Sequence, residues 1–218
     1  MSKKSSNFAA VFENDRMDTR ENIVVKAKEL FGNYGIKSVS MDDICKELGI
    51  SKKTLYNYFD QKDDLVEETL TRSRAHVEEM FERVMEEKKT VWDMIALLPD
   101  LLQRMPDVRK VPPFFYDLNK YYPVLAKKHN ALIYQQNLKM TSALLKRGME
   151  EKMFRDDLDI EVTAHFLSRI HADALSDFIS PPDYGLPLRR IVDSVTDLVL
   201  RSILSEEGMK KYDVIRRK

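Results

Sequence analysis

Cysteine, glycine and proline are scarce in this chain, and each scarcity limits the fold or the cellular compartment that we expect. The 218 residues include one cysteine, Cys45, so no internal disulfide can form and a reducing compartment is expected. With 6 glycines and 8 prolines, most of the chain is uninterrupted, which favours long helices over sheets. No segment alternates apolar and polar residues for long, so we predict an all-α fold.

The chain also lacks a long apolar run and an excess of charge of either sign. Without about twenty consecutive apolar residues, no membrane-spanning helix is expected. The N-terminus lacks the apolar core of a secretory signal, so we expect a cytoplasmic protein, which in bacteria includes the nucleoid. Residues 1–62 hold 11 Lys+Arg against 9 Asp+Glu, and the remainder holds 25 against 27. Binding to nucleic acid would therefore depend on a few cations placed on one face.

Residue patterns typical of catalysis and metal binding are missing as well. The sequence contains no His-Glu-x-x-His motif, no cysteine pair and no glycine-rich phosphate loop. His165 and His171 share a predicted helix, but their spacing points the two side chains about 120° apart. We therefore expect no enzymatic activity, no metal site and no cofactor.

The segment 40–59, SMDDICKELGISKKTLYNYF, predicts two short helices joined by a tight turn. Ser40 and Asp43 have the spacing of a capping pair at the start of the first helix. Gly49 supplies the left-handed backbone conformation that ends this helix, and Ser51 can cap the second helix. The inward-facing positions, four residues apart in each helix, are Ile44, Leu48, Leu55 and Phe59.

The outward face of the second helix has the chemistry of a surface that reads DNA. Cations and hydroxyl donors lie at the helix start and aromatic residues follow, which suits contact with phosphates and base edges. Lys62 begins the next helix, whose N-terminus also attracts anions. Packing residues are the alternative for the tyrosines, and generic surface is the alternative for Lys62. The predicted DNA-binding residues are Ser40, Ser51, Lys52, Lys53, Thr54, Tyr56, Asn57, Tyr58 and Lys62.

The run from Ile23 to Leu70 resembles the DNA-binding domain of the TetR (tetracycline-repressor-like) family of bacterial regulators. An apolar helical stripe comes first and closes at Gly35: Ile23, Ala27, Leu30, Phe31 and Tyr34. The other matching positions are Ser40, Ile44, Gly49-Ile50-Ser51, Thr54-Leu55-Tyr56, Tyr58-Phe59, Lys62 and Leu65. The sequence departs from the family at Cys45, where alanine is usual, and at Asn57-Tyr58, where many members carry an aromatic residue and histidine. The resemblance implies a helix-turn-helix that binds double-stranded DNA.

Helix pattern and composition divide the chain into four segments. We predict a flexible N-terminal arm over residues 1–16 and a three-helix helix-turn-helix domain over 17–62. A larger helical domain for effector binding and dimerisation is predicted over 63–207, followed by a basic tail over 208–218. A long helix near residues 63–88 is expected to lead from the first domain into the second.

Two predicted C-terminal helices, near 160–179 and 186–204, carry wider apolar sectors than a monomer core needs. Such excess tends to be buried against a partner, and reading a palindromic operator requires two recognition helices. In proteins resembling this one, the last two helices of each subunit form a four-helix dimer interface. Broad core helices are the alternative. The predicted homodimer interface comprises Leu167, His171, Ala174, Phe178, Val195, Leu198 and Val199.

A cluster of aromatic residues and methionines is the candidate for a ligand cavity. Such walls suit a small apolar or amphipathic molecule, and Pro99 and Pro112-Pro113 interrupt regular helix packing nearby. A packed core is the alternative. The predicted lining residues are Trp92, Ile95, Phe115, Tyr116, Tyr121 and Met140.

The sequence therefore predicts an all-α, homodimeric, ligand-responsive DNA-binding transcriptional regulator. The resemblance implies that an effector changes the spacing of the two recognition helices and so releases the operator. A regulator that acts in this way is a repressor. One alternative is a helix-turn-helix regulator that lacks a small-molecule effector and responds to a protein partner. Another is a helical interaction module that does not bind DNA. Salt-dependent retention on DNA would separate this module from either regulator.

Overall fold

The structure is a computed structural model, and it describes the backbone of residues 5–87, 90–97, 113–179 and 188–216. Side chains are described from residue 19 onward, except for 171–188. The described residues contain no β-strand, so the predicted all-α fold is confirmed. Their helices are α1 (Ser5–Tyr34), α2 (Met41–Leu48), α3 (Lys52–Tyr56), α4 (Lys62–Glu86), α5 (Val91–Ala96), α6 (Pro113–Tyr121), α7 (Pro123–Glu150), α8 (Ile160–Ile179), α9 (Leu188–Ile203) and α10 (Glu206–Arg216).

The chain folds into two compact units whose boundary differs from the predicted domain boundary after residue 62. The first unit comprises residues 1–75 and 112–126, and the second comprises 76–111 and 127–218. The first part of α4 belongs to the first unit because its apolar side chains fill that unit's core. These side chains are Leu65, Val66 and Leu70, all buried.

Both ends of the chain are more helical than the sequence predicts. α1 begins at Ser5, within the segment predicted to be a flexible arm. No proline or glycine occurs before Gly32, so nothing in this stretch ends the helix. At the other end, α10 occupies most of the predicted basic tail. Tyr212 is 3% exposed and Met209 packs against the core of the second unit, so apolar burial anchors this helix.

The core of the first unit joins α1, α2, α3 and the start of α4 with α6. The predicted inward positions Ile44, Leu55 and Phe59 are buried, and Leu48 packs against them. Tyr34 is an exception to the predicted apolar stripe. It is 62% exposed because α1 ends at this residue and the chain turns away. The fully buried large side chains of this core include Ile23, Phe31, Ile36, Leu65 and Leu118.

A segment distant in the sequence completes the first unit. The buried carboxylate of Asp117, on α6, accepts a hydrogen bond of 2.7 Å from the backbone N–H of Lys37. Gly35, two residues before, has a φ of 85°, and a Cβ there would lie 2.6 Å from Asp117 Oδ2. Glycine therefore meets two requirements at once, a left-handed backbone and a close approach of the carboxylate.

The core of the second unit is built from α5, α7, α8, α9 and α10. Thr90 and Asp93 form a capping box at the start of α5. Arg147 of α7 donates a hydrogen bond of 3.2 Å to the Met85 carbonyl at the end of α4. No helix among the described residues is long and apolar enough to cross a membrane. The buried residues of this core include Val91, Ile95, Leu145, Met153, Phe154, Ala164, Leu167, Leu200 and Ile203.

Two glycines near the end of α1, Gly35 and Gly32, can be used to test whether the turn after this helix requires glycine. Gly35→Ala is expected to lower the free energy of unfolding by about 1–3 kcal/mol, because alanine meets both backbone strain and the Asp117 carboxylate. Gly32→Ala is the control. It lies within α1 with nothing within 4 Å of an added Cβ, so alanine should raise stability by about 0.5–1 kcal/mol. Urea unfolding of both variants measures the difference, and equal midpoints would contradict this account of the turn.

Candidate nucleic-acid interface

Local hydrogen bonds hold α2 and the turn that follows it. The Ser40 hydroxyl accepts a hydrogen bond of 3.1 Å from the Asp43 backbone N–H, and the Asp43 carboxylate accepts one of 2.8 Å from the Ser40 N–H. The hydrogen bonds from the Ser40 hydroxyl and backbone lower the pKa of Asp43 below its usual value. α2 ends at Gly49, whose φ is 65°. The capping box and the glycine end predicted for α2 are confirmed.

α3 is a short helix held by its own cap and by one buried leucine. The Ser51 hydroxyl accepts a hydrogen bond of 3.0 Å from the Thr54 N–H, so the predicted cap is confirmed. Beyond Tyr56 the backbone continues in turns, with the Phe59 N–H donating to the Leu55 carbonyl at 3.1 Å. Leu55 is 0% exposed. Its burial turns the flanking side chains of α3 toward solvent.

The residues predicted to contact DNA differ in how accessible their polar groups are. Lys53, Tyr56 and Asn57 are exposed. Lys52 is exposed too, but its ammonium lies 2.6 Å from the Asp42 carboxylate, and that hydrogen bond raises the pKa of Lys52. Exposed ion pairs contribute little stability, so a phosphate can replace this partner. The remaining predicted residues are half-buried Thr54 and Tyr58, exposed Ser40 and Ser51, and Lys62.

Lys62 is directed toward the protein. Its ammonium donates a hydrogen bond to the Ile36 carbonyl and lies 5.8 Å from the centroid of the Phe31 ring. Burial lowers the pKa of Lys62, while the carboxylates of Asp117 and Asp63 act in the opposite direction. Lys62 thus has a structural role at the loop between α1 and α2. Its contact with phosphate stays a prediction.

An ion-pair network that sequence reasoning missed supports the segment after α3. The Arg20 guanidinium lies 5.1 Å from the centroid of the Phe59 ring and 2.7 Å from the Glu68 carboxylate. Glu68 also pairs with Arg72 at 3.1 Å, and Arg72 pairs with Glu21 at 2.9 Å. The hydrogen bond from Arg20 contributes most to lowering the pKa of Glu68. The i,i+4 spacing of Glu68 and Arg72 was a local signal, whereas no local signal pointed to Arg20.

The six residues predicted to line an effector cavity do not form one cluster within either unit. Three of them lie on α6 in the first unit, which turns Leu118 inward and leaves these aromatic rings at the surface. They are Phe115, Tyr116 and Tyr121, with exposed fractions of 36%, 49% and 41%. The other three lie in the second unit, namely buried Ile95 and half-buried Trp92 and Met140. Pro99 and Pro112, which suggested the cavity, lie outside the described residues.

The predicted dimer-interface residues also divide into two groups. Leu167 is 5% exposed and fills the core of its own unit, which is the alternative that the sequence left open. Leu198 is 69% exposed, and α8 exposes Val162 and Phe166 at 63% and 64%, two positions that the sequence analysis did not single out. Val195 and Val199 are half-buried. The side chains of His171, Ala174 and Phe178 lie outside the described ones.

Comparison with known families identifies the helix-turn-helix. Residues 23–69 match the family model described as bacterial regulatory proteins, tetR family. The match covers α2, α3, most of the described side chains of α1 and the start of α4. α6 lies outside it.

Curated relatives with similar sequences are transcriptional regulators. The chain is 30% identical over 88 residues to the HTH-type transcriptional regulator SAB2452 of Staphylococcus aureus, covering 40% of this chain and 48% of that protein. It is 24% identical over 148 residues to the HTH-type transcriptional repressor KstR2 of Rhodococcus jostii, covering 65% of this chain and 70% of that protein. The chain thus spans about half the length of the first of these relatives.

A solved structure supports the fold over a longer range. A transcriptional regulator from Saccharomonospora viridis in complex with choline has a TM-score of 0.60 and 19% sequence identity. The match covers 87% of this chain and 100% of that chain. At this identity the likeness concerns the fold alone.

Proposed function

This chain belongs to the TetR family of bacterial regulatory proteins, and we propose that it is a dimeric transcriptional regulator that binds a palindromic operator in double-stranded DNA. The observation that carries the proposal is the surface formed by α2, the turn and α3. There, Lys53, Tyr56 and Asn57 are exposed around the fully buried Leu55. A short helix with a fixed inward residue and cationic, phenolic and amide groups outside suits insertion into a major groove.

The chemistry of the exposed groups suggests separate roles for them. The Asn57 amide can pair with the edge of adenine, and the Lys53 ammonium can bind guanine or a phosphate. The Tyr56 hydroxyl can donate to a phosphate oxygen, which fixes the register of the helix without reading sequence. The Ser40 hydroxyl already donates to the Asp43 carboxylate at 2.6 Å, so its main role is the cap of α2. We therefore assign base reading chiefly to Lys53 and Asn57.

The DNA-binding proposal is tested with two variants of α3. Selection from a pool of random duplexes should enrich a palindrome with the wild-type protein, and Lys53→Ala and Tyr56→Ala should each weaken binding to it at least about tenfold. Both side chains are exposed, so helicity should not change. Lys28→Ala, an exposed lysine on α1, is the control and should bind as the wild type does. Fluorescence anisotropy measures the affinities. Wild-type affinity in both α3 variants would remove α3 from the DNA-reading surface.

Dimerisation is the second part of the proposal. It is supported by large apolar side chains that the second unit leaves exposed on α8 and α9: Val162, Phe166 and Leu198. Exposed apolar groups on neighbouring turns are typical of surfaces that bury themselves against a partner. A two-fold dimer would also supply the two recognition helices that a palindrome requires.

A charge on α9 tests the dimer. Leu198→Asp is expected to convert the protein to a monomer, because association would bury an unpaired carboxylate at a cost of several kcal/mol. Val77→Asp is the control. Val77 is 47% exposed on α4 in the same unit, so an equal charge there should leave assembly unchanged. Sedimentation velocity distinguishes the two states. A wild-type protein that sediments as a monomer at micromolar concentration would contradict the proposal.

We further propose that the protein is a repressor that a small apolar or amphipathic effector releases from DNA. Support comes from the name of KstR2 as a repressor and from choline in the S. viridis regulator, both of which concern those proteins. In this chain Ile95 lies in the core of the second unit and Trp92 packs against that core, while Met140 is half-buried in the same unit. The buried hydroxyl of Ser168 has no hydrogen-bond partner among the described residues. A polar group of a ligand could satisfy it. Control by a protein partner is the competing proposal.

Trp92 is the single tryptophan of the chain and can report effector binding. Apolar and amphipathic compounds that quench its fluorescence are expected to weaken DNA binding about 5–150-fold, because coupling between two sites is reciprocal. Met140→Ala should reduce both effects together. Phe115→Ala, on the exposed face of α6, should reduce neither. A compound that quenches Trp92 at saturation without changing DNA affinity would contradict the effector proposal.

A further inference from the structure

A cluster of lysines and tyrosines lies on the surface of the first unit, partly on α6. The Lys37 ammonium is 3.2 Å from the Tyr121 hydroxyl and 4.7 Å from the centroid of the Tyr121 ring. The Lys120 ammonium is 5.4 Å from the centroid of the same ring. It also donates a hydrogen bond of 2.9 Å to the Tyr116 hydroxyl. The Tyr121 ring therefore has an ammonium group from each of two different elements beside it.

The two ammonium groups carry charge that the surrounding protein leaves uncompensated. In the described part of the chain their hydrogen-bond partners are tyrosine hydroxyls, and no carboxylate lies within ion-pair distance of either one. Lys37, Lys120, Tyr116 and Tyr121 are all exposed. Cation–π contacts at exposed sites are weak, and two like charges beside one ring repel each other. This arrangement is therefore complementary to an anion.

The cluster is held in a fixed position relative to the helix-turn-helix. Lys37 lies on the loop that leads to Ser40, the cap of α2. The buried Asp117 carboxylate binds the Lys37 backbone N–H at 2.7 Å, and α6 packs Leu118 into the core that contains Leu55. The hydrogen bond and the shared core therefore join α6, which carries Lys120, to the loop that carries Lys37.

We propose that Lys37 and Lys120 form a second DNA contact, which binds backbone phosphates beside the bases that α3 reads. The inference rests on the proposed DNA-binding function. A lysine ammonium binds phosphate as a point charge, so this contact adds affinity and carries no base information. Tyr121 is a positioning residue, because its ring and hydroxyl bring the two ammonium groups together without neutralising them. The contact extends the DNA-binding surface to α6, outside the residues that match the family model.

The salt dependence of DNA binding tests this contact. Each phosphate contact adds about 0.9 to the slope of log affinity against log salt concentration. The probe is a duplex of about thirty base pairs with random sequence, since phosphate contacts do not need the operator. Lys37→Gln and Lys120→Gln should each lower the slope by about 0.9 per bound subunit, and the double variant by about twice as much. Lys146→Gln, an exposed lysine on α7, is the control and should leave the slope unchanged.

Operator binding and two Tyr121 variants separate the possible outcomes. If the wild-type protein binds a selected palindrome and the double variant keeps the wild-type slope, the proposed function stands and the second contact is wrong. If the wild-type protein shows no salt-dependent binding to DNA, both proposals fail. A double variant that loses affinity at an unchanged slope would indicate a structural role and also overturn the inference. For Tyr121, alanine should weaken binding and phenylalanine should restore most of it, since the ring is retained. Equal losses in both variants would contradict the positioning role.

Discussion

The hydrogen bond between the Lys37 backbone N–H and the buried Asp117 carboxylate is the contact on which the arrangement of the first unit depends. It holds one side of the loop between α1 and α2. The Lys62 ammonium holds the other side through the Ile36 carbonyl. Gly35 allows the carboxylate to approach, because any Cβ would collide with it. A loop that would otherwise expose its backbone is thus fixed at adjacent residues, and α2 starts from a defined position.

This fixed loop explains why so short a recognition helix can present a defined surface. α3 has little stability of its own, since isolated helices of this length do not form in water. Its position comes from the Ser51 cap, the buried Leu55 and the contact of Arg20 with Phe59. Ser40, Asp43 and Ser51 form the helix caps of the motif, and Tyr58 and Phe59 pack into or against the core. The groups left for DNA are few, so phosphate contacts outside the motif would add substantially to affinity.

The order of the two units along the chain bears on how an effector could act on DNA binding. Residues 112–126 belong to the first unit, although the segments before and after them, 76–111 and 127–218, belong to the second. The chain therefore passes between the units within α4, before α6 and within α7. The first unit thus has three covalent connections to the second, and two of them flank the segment that carries Asp117. An effector needs only a different affinity for two conformations to use such a connection.

Local sequence determined the all-α fold, the capping boxes, the glycine end of α2 and the burial of Leu55, because each depends on residues within one or two helical turns. Tertiary structure decided the inward direction of Lys62, the exposure of the α6 aromatic rings and the burial of Leu167. It also joined Arg20 to Glu68 and Lys37 to Asp117. These partners are 48 and 80 residues apart, so their meeting depends on how the helices pack. Helical periodicity identifies an apolar face, but it does not say which core will bury that face.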